Sequence, residues 1–334
     1  YSCQWMSSDP AEGDFLAEGC VRAFGEAGVH LYATGPPVFR ENRDEMFDFA
    51  PVEFGMRRVM SADPDAHFHL RLYFETPPWW NEENPDECEV SSEGERLNQS
   101  YASSVWQDEV NDYLRALIAF LKSVDLADRV IAYQPMAGIC GEWIKNSTSM
   151  QHRCGDYSAP MRRRFKAWLR ERYNDNAEAF QTAWNNPAIT FDTAEVPSAE
   201  MQHTTTHGLF RDPAVEQQVI DYYRCLADLC AATLIDFCHT VKVETGGQAL
   251  AGAFTTGTHG TGAKLPVLAD AIVGMKLVQP DGSIITVDES TPDLLLAGRV
   301  SLGVLGAISE VTLQLQDSYR LREKIWREDF ETAM

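Results

Sequence analysis

Helical and strand patterns alternate along the first 250 residues of the chain, and this alternation limits the folds open to it. Apolar residues at helical spacing over 103–123 precede the strand-like run VIAYQ at 130–134. The same order occurs at 14–27 with 29–32 and at 53–62 with 67–75, and further helices are predicted over 160–173 and 213–243. Helices that alternate with strands predict parallel strands joined by right-handed crossovers, in either a (β/α) barrel or an open doubly wound sheet. Long aromatic loops after the strands favour the barrel, whose chemistry lies at the carboxyl ends of its strands.

The net charge of the chain limits the kinds of partner that it can bind. With 50 acidic and 28 basic residues the formal net charge is -22, so nucleic acid and anionic membrane surfaces are not expected partners. No membrane span or export signal is visible, and the chain opens at Tyr1. The compartment stays open, with the cytoplasm favoured, and so does the oligomeric state. The eight cysteines form no CxxC pair, and His152 with Cys154 supplies only two possible ligands, so no metal site is predicted.

The predicted secondary-structure pattern changes after Gly262. Strands are expected over 272–278, 283–287 and 307–315, with a turn at 280–282 and a short helix over 292–297. This order of strands, turn and helix is typical of an α+β fold with antiparallel hairpins. We therefore predict two domains, 1–250 and 251–334, and the fold class α/β: a partial (β/α) TIM-type barrel followed by an α+β subdomain fragment.

One carboxylate follows the strand at 130–134. Glu142 lies beyond a loop of small residues and next to Trp143. An apolar aromatic wall disfavours the ionised form of a carboxyl group, which suits a general acid. The alternative is an ordinary loop carboxylate.

Four segments carry a family resemblance in the right order. They are ETPPWWNEENPDE at 75–87, AYQPMAGICGEW at 132–143, DYSAPMRRRFKAWLRERYNDNAEAFQTAW at 156–184 and FCHTVKVETGGQALAGAF at 237–254. Together they resemble the catalytic barrel of glycoside hydrolase family 42 β-galactosidases. The resemblance implies that Glu142 is the general acid/base and that Trp79, Trp80 and Glu83 form a substrate-facing loop, with Trp143 beside them. The two tryptophans of that loop either stack on a sugar or pack the loop.

The same resemblance leaves a catalytic gap. Retaining hydrolysis needs a second carboxylate about 5 Å from the first. In the family this residue follows the seventh strand, whereas this chain changes character after only part of the barrel. Gly141 also stands where many members have Asn, and the cysteine-metal cluster of the family is not reproduced. Hydrolysis by this chain alone is therefore not expected.

The segment TTGTHGTG at 255–262 is rich in glycine and threonine. Glycine lets backbone amides converge on an oxyanion, and threonine hydroxyls add donors, so the composition suits a pyrophosphate. The alternative is a tight loop without a ligand.

The segments around this loop extend the pattern. TTGTHGTG, IVGMKLVQPDGSIITV at 272–287 and LLLAGRVSLGVLGAISEVTLQL at 294–315 resemble the second half of the FAD-binding domain of the vanillyl-alcohol-oxidase (PCMH) type. The closest likeness is to sugar-lactone and alditol oxidases such as gulonolactone and arabinonolactone oxidase. That resemblance implies FAD as cofactor and a small carbohydrate or sugar lactone as substrate. The implied FAD contacts are Thr256, Gly257, Thr258, His259, Gly260, Thr261, Gly262, Gly303, Gly306 and Ile308, although His259 can also be an ordinary loop histidine.

Both resemblances meet near residues 249–255, so the chain is interpreted as a composite of a partial hydrolase barrel and a partial flavin domain. The first subdomain of the flavin family does not precede the glycine segment here, which leaves FAD binding open. Three functions therefore compete: a flavoenzyme, a glycosidase and a hybrid without catalysis.

Overall fold

The computed structural model describes residues 15–34, 39, 43, 47–138, 143, 154–206, 208, 211–246, 272–278, 283–299 and 307–313. The chain divides into two compact units, Tyr1–Leu250 and Ala251–Met334. Each unit has its own hydrophobic core.

The first unit surrounds a small sheet with helices. Its strands are β1 (Leu31–Thr34), β2 (His67–Tyr73), β3 (Cys88–Val90), β4 (Arg96–Gln99) and β5 (Val130–Met136). Its helices are α1 (Phe15–Glu26), α2 (Ala50–Ala62), α3 (Pro78–Glu83), α4 (Ser104–Ser123), α5 (Ala159–Arg172), α6 (Ala177–Ala183), α7 (Ala199–His203) and α8 (Pro213–Thr245), with a 3-10 turn at Ala127–Arg129.

Strands β1, β2 and β5 form a parallel sheet in the order β1-β2-β5. Helix α2 lies between β1 and β2 in the chain, and α4 lies between β2 and β5. The predicted alternation of helices and parallel strands is confirmed, and the class is mixed α/β. Within the described ranges this sheet has three strands and does not close, so the unit contains part of a barrel.

The two faces of β2 differ in burial because successive side chains of a strand point to opposite sides. Phe68, Leu70 and Leu72 are fully buried and share one core cluster with α4. His69 and Arg71 alternate with them and are half-buried. The sheet therefore presents its apolar face to the helices and a polar face to the side where the interior of a barrel lies.

Helix α4 packs against α8 along a seam that is partly polar. The Asn111 Nδ2 atom donates to Asp236 Oδ2 over 2.7 Å, and the Thr240 hydroxyl donates to Asn111 Oδ1 over 2.6 Å. These directional bonds fix the register of the two helices. Among the helices that the structure describes, α8 included, none is long and apolar enough to cross a membrane.

The start of α8 is held by a charged cluster. Glu216 accepts hydrogen bonds from the Thr206 backbone N–H (3.0 Å), the Asp212 backbone N–H (2.8 Å) and Arg211 Nη1 (2.9 Å). Burial alone raises the pKa of a carboxyl group, but these hydrogen bonds outweigh it and lower the pKa of Glu216 to about 2. The Asp212 side chain also caps the helix by accepting from the Ala214 N–H.

A hairpin that the sequence analysis does not predict interrupts the βα alternation. Strands β3 and β4 pair antiparallel, with Cys88 opposite Gln99. The two strands are only three and four residues long, too short to show the sustained apolar alternation that indicates a strand. The hairpin lies in the long segment that follows β2.

The second unit contains an antiparallel sheet in the order β7-β6-β8, as the hairpin pattern predicts. Its elements are β6 (Ile272–Val278), β7 (Ile284–Val287), α9 (Pro292–Arg299) and β8 (Ala307–Leu313). Met275 and Leu295 belong to its buried core. The end of the Met275 side chain of β6 packs on Gly298 of α9, where a Cβ atom would lie 2.6 Å from Met275 Sδ.

Candidate functional site

The carboxyl ends of β2 and β5 lie side by side because the two strands are parallel. The Phe74 N–H donates to the Met136 carbonyl over 2.8 Å, and the Tyr73 hydroxyl donates to the Gly138 carbonyl over 2.7 Å. The segments that leave the two strands are thus held together at this edge. We name it the strand-end site.

Glu75 lies at the strand-end site, directly after β2, and is 7% exposed. Its Oε1 atom accepts from Gln99 Nε2 (2.9 Å) and from the Gly138 backbone N–H, and its Oε2 atom accepts from Asn98 Nδ2. A buried carboxylate needs such donors. Glu75 therefore joins three segments: the end of β2, the hairpin strand β4 and the loop that follows β5.

The donors around Glu75 are oriented by bonds of their own. Asn98 Oδ1 accepts from Asn81 Nδ2 over 3.1 Å, which directs the Asn98 NH₂ group toward Glu75. Gln99 Oε1 accepts from the Thr76 backbone N–H over 2.9 Å, which directs the Gln99 NH₂ group the same way. Neither amide can rotate by 180° without losing a bond, so the network is built for an acceptor at position 75.

Trp143 supplies an aromatic wall at the same edge. Its backbone N–H donates to the Ala137 carbonyl over 2.8 Å, and its half-buried ring lies 5.5 Å from the ring of Tyr101 and 6.1 Å from that of Phe237. Its φ of 58° lies in the left-handed region, which is costly for a bulky residue and recurs at functional sites. The wall is one that a sugar ring can stack on.

Tyr101 completes this corner of the site. It follows β4 after one intervening residue, packs on Trp106 with ring centroids 5.9 Å apart, and is 4% exposed. Burial, together with the nearby carboxylates Glu75 and Glu89, holds the pKa of its phenol well above the usual range. The side chain is therefore a neutral donor.

The predicted substrate loop lies on α3, and its residues have different surroundings. Trp79 is half-buried. Trp80 is completely buried, and its Nε1 atom donates to Glu109 Oε2 over 2.9 Å. Glu83 is exposed and forms an ion pair with Arg43. The Trp80 ring thus packs in the core, whereas Trp79 and Glu83 keep exposed surface that can meet a ligand.

Most other predicted site residues lie outside the described part of the chain, and their roles stay predictions. They are Glu142, Thr256, Gly257, Thr258, His259, Gly260, Thr261, Gly262, Gly303 and Gly306. Ile308 lies in β8, opposite Leu277 of the central strand β6.

A second polar cluster lies at the opposite end of the parallel sheet. His30 Nδ1 is 2.9 Å from Asp63 Oδ2, and the Tyr32 hydroxyl donates to the same oxygen over 2.8 Å. With Asp65, His30 and Asp63 bring three possible metal ligands within 4.8 Å of one another. Because Asp63 is already held by these bonds, the cluster fastens the amino ends of β1 and β2.

Sequence reasoning missed Glu75 and Tyr101. A signal for Glu75 was present, because HFHLRLYFE alternates and places residue 75 in the same parity as His69 and Arg71. No comparable signal marks Tyr101, which belongs to the unpredicted hairpin.

A partial parallel α/β sheet with a buried carboxylate and aromatic rings at its carboxyl edge is typical of (β/α)-barrel proteins, whose sites lie at the strand ends. The family model of glycoside hydrolase 42, described as beta-galactosidase, matches residues 46–241. This match covers more than half of the chain, and the chain belongs to glycoside hydrolase family 42.

Solved structures share the fold. The beta-galactosidase from Bacillus circulans sp. alkalophilus superposes with a TM-score of 0.52 at 20% identity, over 74% of this chain and 34% of that one. The chain thus spans about a third of the length of that structure.

Curated relatives of a different kind match a shorter stretch. The chain is 43% identical over 77 residues to the mitochondrial L-galactono-1,4-lactone dehydrogenase 2 of Oryza sativa subsp. japonica, which covers 23% of this chain and 13% of that protein. It is 48% identical over 67 residues to the L-gulono-1,4-lactone dehydrogenase of Mycobacterium tuberculosis, over 20% and 15% respectively. Both predicted resemblances are confirmed: a family 42 domain and a sugar-lactone-oxidase-like segment occur in one chain.

Proposed function

We propose that the family 42 unit binds a β-galactoside-type sugar at the strand-end site. The observation that carries the proposal is the fixed position of Trp143, whose backbone is bonded to the end of β5 and whose half-buried ring packs on Tyr101. Galactosides have apolar faces that suit an aromatic surface and hydroxyl groups that suit hydrogen-bond donors. The half-buried Trp79 and the exposed Glu83 extend the proposed sugar site along α3.

The proposed roles in catalysis are unequal. Glu142 precedes Trp143 in the sequence and is proposed as the general acid/base. A retaining reaction needs a second carboxylate that is free to attack. Glu75 is a buried carboxylate at this edge, and both of its oxygens accept hydrogen bonds, which suits it to positioning the loops. We therefore propose that the chain binds the sugar and is catalytically incomplete for hydrolysis.

The test measures binding and turnover separately. Titration calorimetry with methyl β-galactoside should show binding by the full chain, weakened by Trp143→Ala and unchanged by Trp168→Phe, a control on α5. Release of nitrophenol from 4-nitrophenyl β-galactoside should stay at the buffer rate. No binding would refute the sugar site, and turnover that Glu142→Gln abolishes would refute catalytic incompleteness in favour of a working glycosidase.

A second proposal concerns the other unit. We propose that residues 256–262, with Gly303, Gly306 and Ile308, bind FAD and make this segment an oxidoreductase module for sugar lactones. The identity of 43–48% with lactone dehydrogenases favours this function. When bound, FAD would supply the capacity to accept a hydride from a substrate carbon. We also propose that the module begins at residue 251, where the barrel domain 1–250 ends.

The FAD proposal has a direct optical test. The full chain is incubated with FAD, passed through a desalting column and scanned between 350 and 500 nm. Retained flavin absorbance is the expected result, and Gly260→Val should lose it because a side chain at that position obstructs close approach of the backbone to a pyrophosphate. A colourless wild-type protein would refute FAD binding and leave a hybrid without flavin.

A further inference from the structure

Among the residues that the structure describes, two tyrosine hydroxyls are buried without a hydrogen-bond partner, those of Tyr101 and Tyr133. Leaving a phenol unpaired away from water costs free energy, and native proteins seldom tolerate it without a reason. The two residues are nearly equal in burial, with 4% and 1% of their surface exposed. Their surroundings differ, and this difference separates Tyr133, which packs in the sheet, from Tyr101, which lies at the strand-end site.

Tyr133 belongs to the core. It lies in β5 opposite Leu70 of β2, on the apolar face of the sheet, and like Tyr101 it is a member of the core cluster that includes the helices. Burial alone raises the pKa of its phenol.

Tyr101 belongs to the strand-end site. Its ring contacts Trp143, which is only half-buried, so a ligand that stacks on Trp143 from solvent comes close to the Tyr101 side chain. Both oxygens of the nearby Glu75 already accept from N–H donors. The Tyr101 hydroxyl therefore remains a donor in need of an acceptor.

The charge around Tyr101 limits what that acceptor can be. Glu75 and Glu89 are buried carboxylates near enough to act on the phenol, and they repel an anion. A neutral ligand rich in hydroxyl groups avoids this repulsion, and each of its oxygens can accept one hydrogen bond and donate another.

We propose that the Tyr101 hydroxyl donates a hydrogen bond to a hydroxyl oxygen of a neutral sugar bound at the strand-end site and selects ligands that carry an oxygen there. The inference rests on the proposed sugar binding and adds a specificity-determining residue to it. Tyr101 contacts the ligand and takes no part in bond breaking.

Paired Tyr→Phe substitutions test the role. Neither hydroxyl has a hydrogen-bond partner in the described part of the chain, so Tyr101→Phe and Tyr133→Phe should both keep the wild-type urea midpoint or exceed it. Only Tyr101→Phe should weaken the binding of methyl β-galactoside in calorimetry, by about fivefold to tenfold, the size of one lost hydrogen bond. Tyr133→Phe should bind as the wild type does.

A series of monodeoxy methyl galactosides identifies the oxygen concerned. One member should lose affinity for the wild type and bind Tyr101→Phe as well as the parent sugar does, because the bond is already missing. If Tyr101→Phe binds the parent sugar as tightly as the wild type, or unfolds at clearly lower urea, the role of Tyr101 is refuted while sugar binding stands. If the wild type binds no sugar, sugar binding and this inference both fall.

Discussion

Replacing Glu75 by Gln tests whether the strand-end site depends on one buried acceptor. A glutamine keeps one oxygen but places an NH₂ group where the other oxygen stood, so it faces either Asn98 or the donors Gln99 and Gly138. The two amides cannot turn to compensate, because their own oxygens are engaged. At least one pair of donors must then point at each other.

The size of the effect follows from these contacts. Hydrogen bonds to a charged group contribute about 1.5–3 kcal/mol each, and a buried donor left unpaired costs about 1–3 kcal/mol. Losing one bond and weakening the others amounts to roughly 3 kcal/mol. For a domain of this size that corresponds to a fall in melting temperature of roughly 6–12 °C.

The assay is equilibrium unfolding of the full chain in urea at pH 7, followed by tryptophan fluorescence. Glu83→Gln is the matched control, because Glu83 is 44% exposed with an exposed partner and should change stability by less than about 0.5 kcal/mol. If Glu75→Gln unfolds within 0.5 kcal/mol of the wild type, the oriented network around position 75 is not what holds this edge together.

Two further predictions concern other parts of the chain. The pKa of Glu216 is lowered from its ordinary value of 4.5 to about 2, so the Glu216 carboxylate stabilises the fold fully above pH 4.5 and loses this effect as the pH falls through about 2. The difference in urea midpoint between wild type and Glu216→Gln should therefore be full at pH 7 and shrink below pH 4.5. A constant difference at every pH would contradict the linkage. In the second unit, Gly298→Val should displace the flexible end of the Met275 side chain and cost about 1 kcal/mol. Gly274→Ala meets its neighbours only at 3.5 Å and should cost less. Hydrogen exchange of the β6 amides measures both variants, and equal protection in the two would count against a tight contact at Gly298.

The sequence predicts those parts of the fold that periodicity encodes. Long amphipathic helices such as α4 and α8, and strands such as β5 and β6, follow from apolar spacing. The structure adds the side-chain caps Ser103 and Asp212 at the starts of the two helices. The β3-β4 hairpin has no such pattern, because its strands are only three and four residues long and it is held by contacts with Glu75 and Asp156.

The site is less predictable than the fold for a related reason. Trp79 and Trp80 are adjacent in sequence, and only the packing of α3 decides that Trp80 enters the core while its neighbour stays partly exposed. Glu83 has its ionic partner forty positions away, at Arg43. A sequence shows which residue types are present, whereas burial and partners arise from contacts between distant segments.

The hairpin has a consequence for engineering this edge. The side-chain amides of its strand β4 hold the Glu75 carboxylate, and this carboxylate in turn holds the loop after β5. The hairpin is therefore a structural part of the strand-end site. A design that grafts the strand-end site onto another parallel sheet must therefore include β3 and β4. Deleting them to shorten the protein would release the loop that the graft is meant to display.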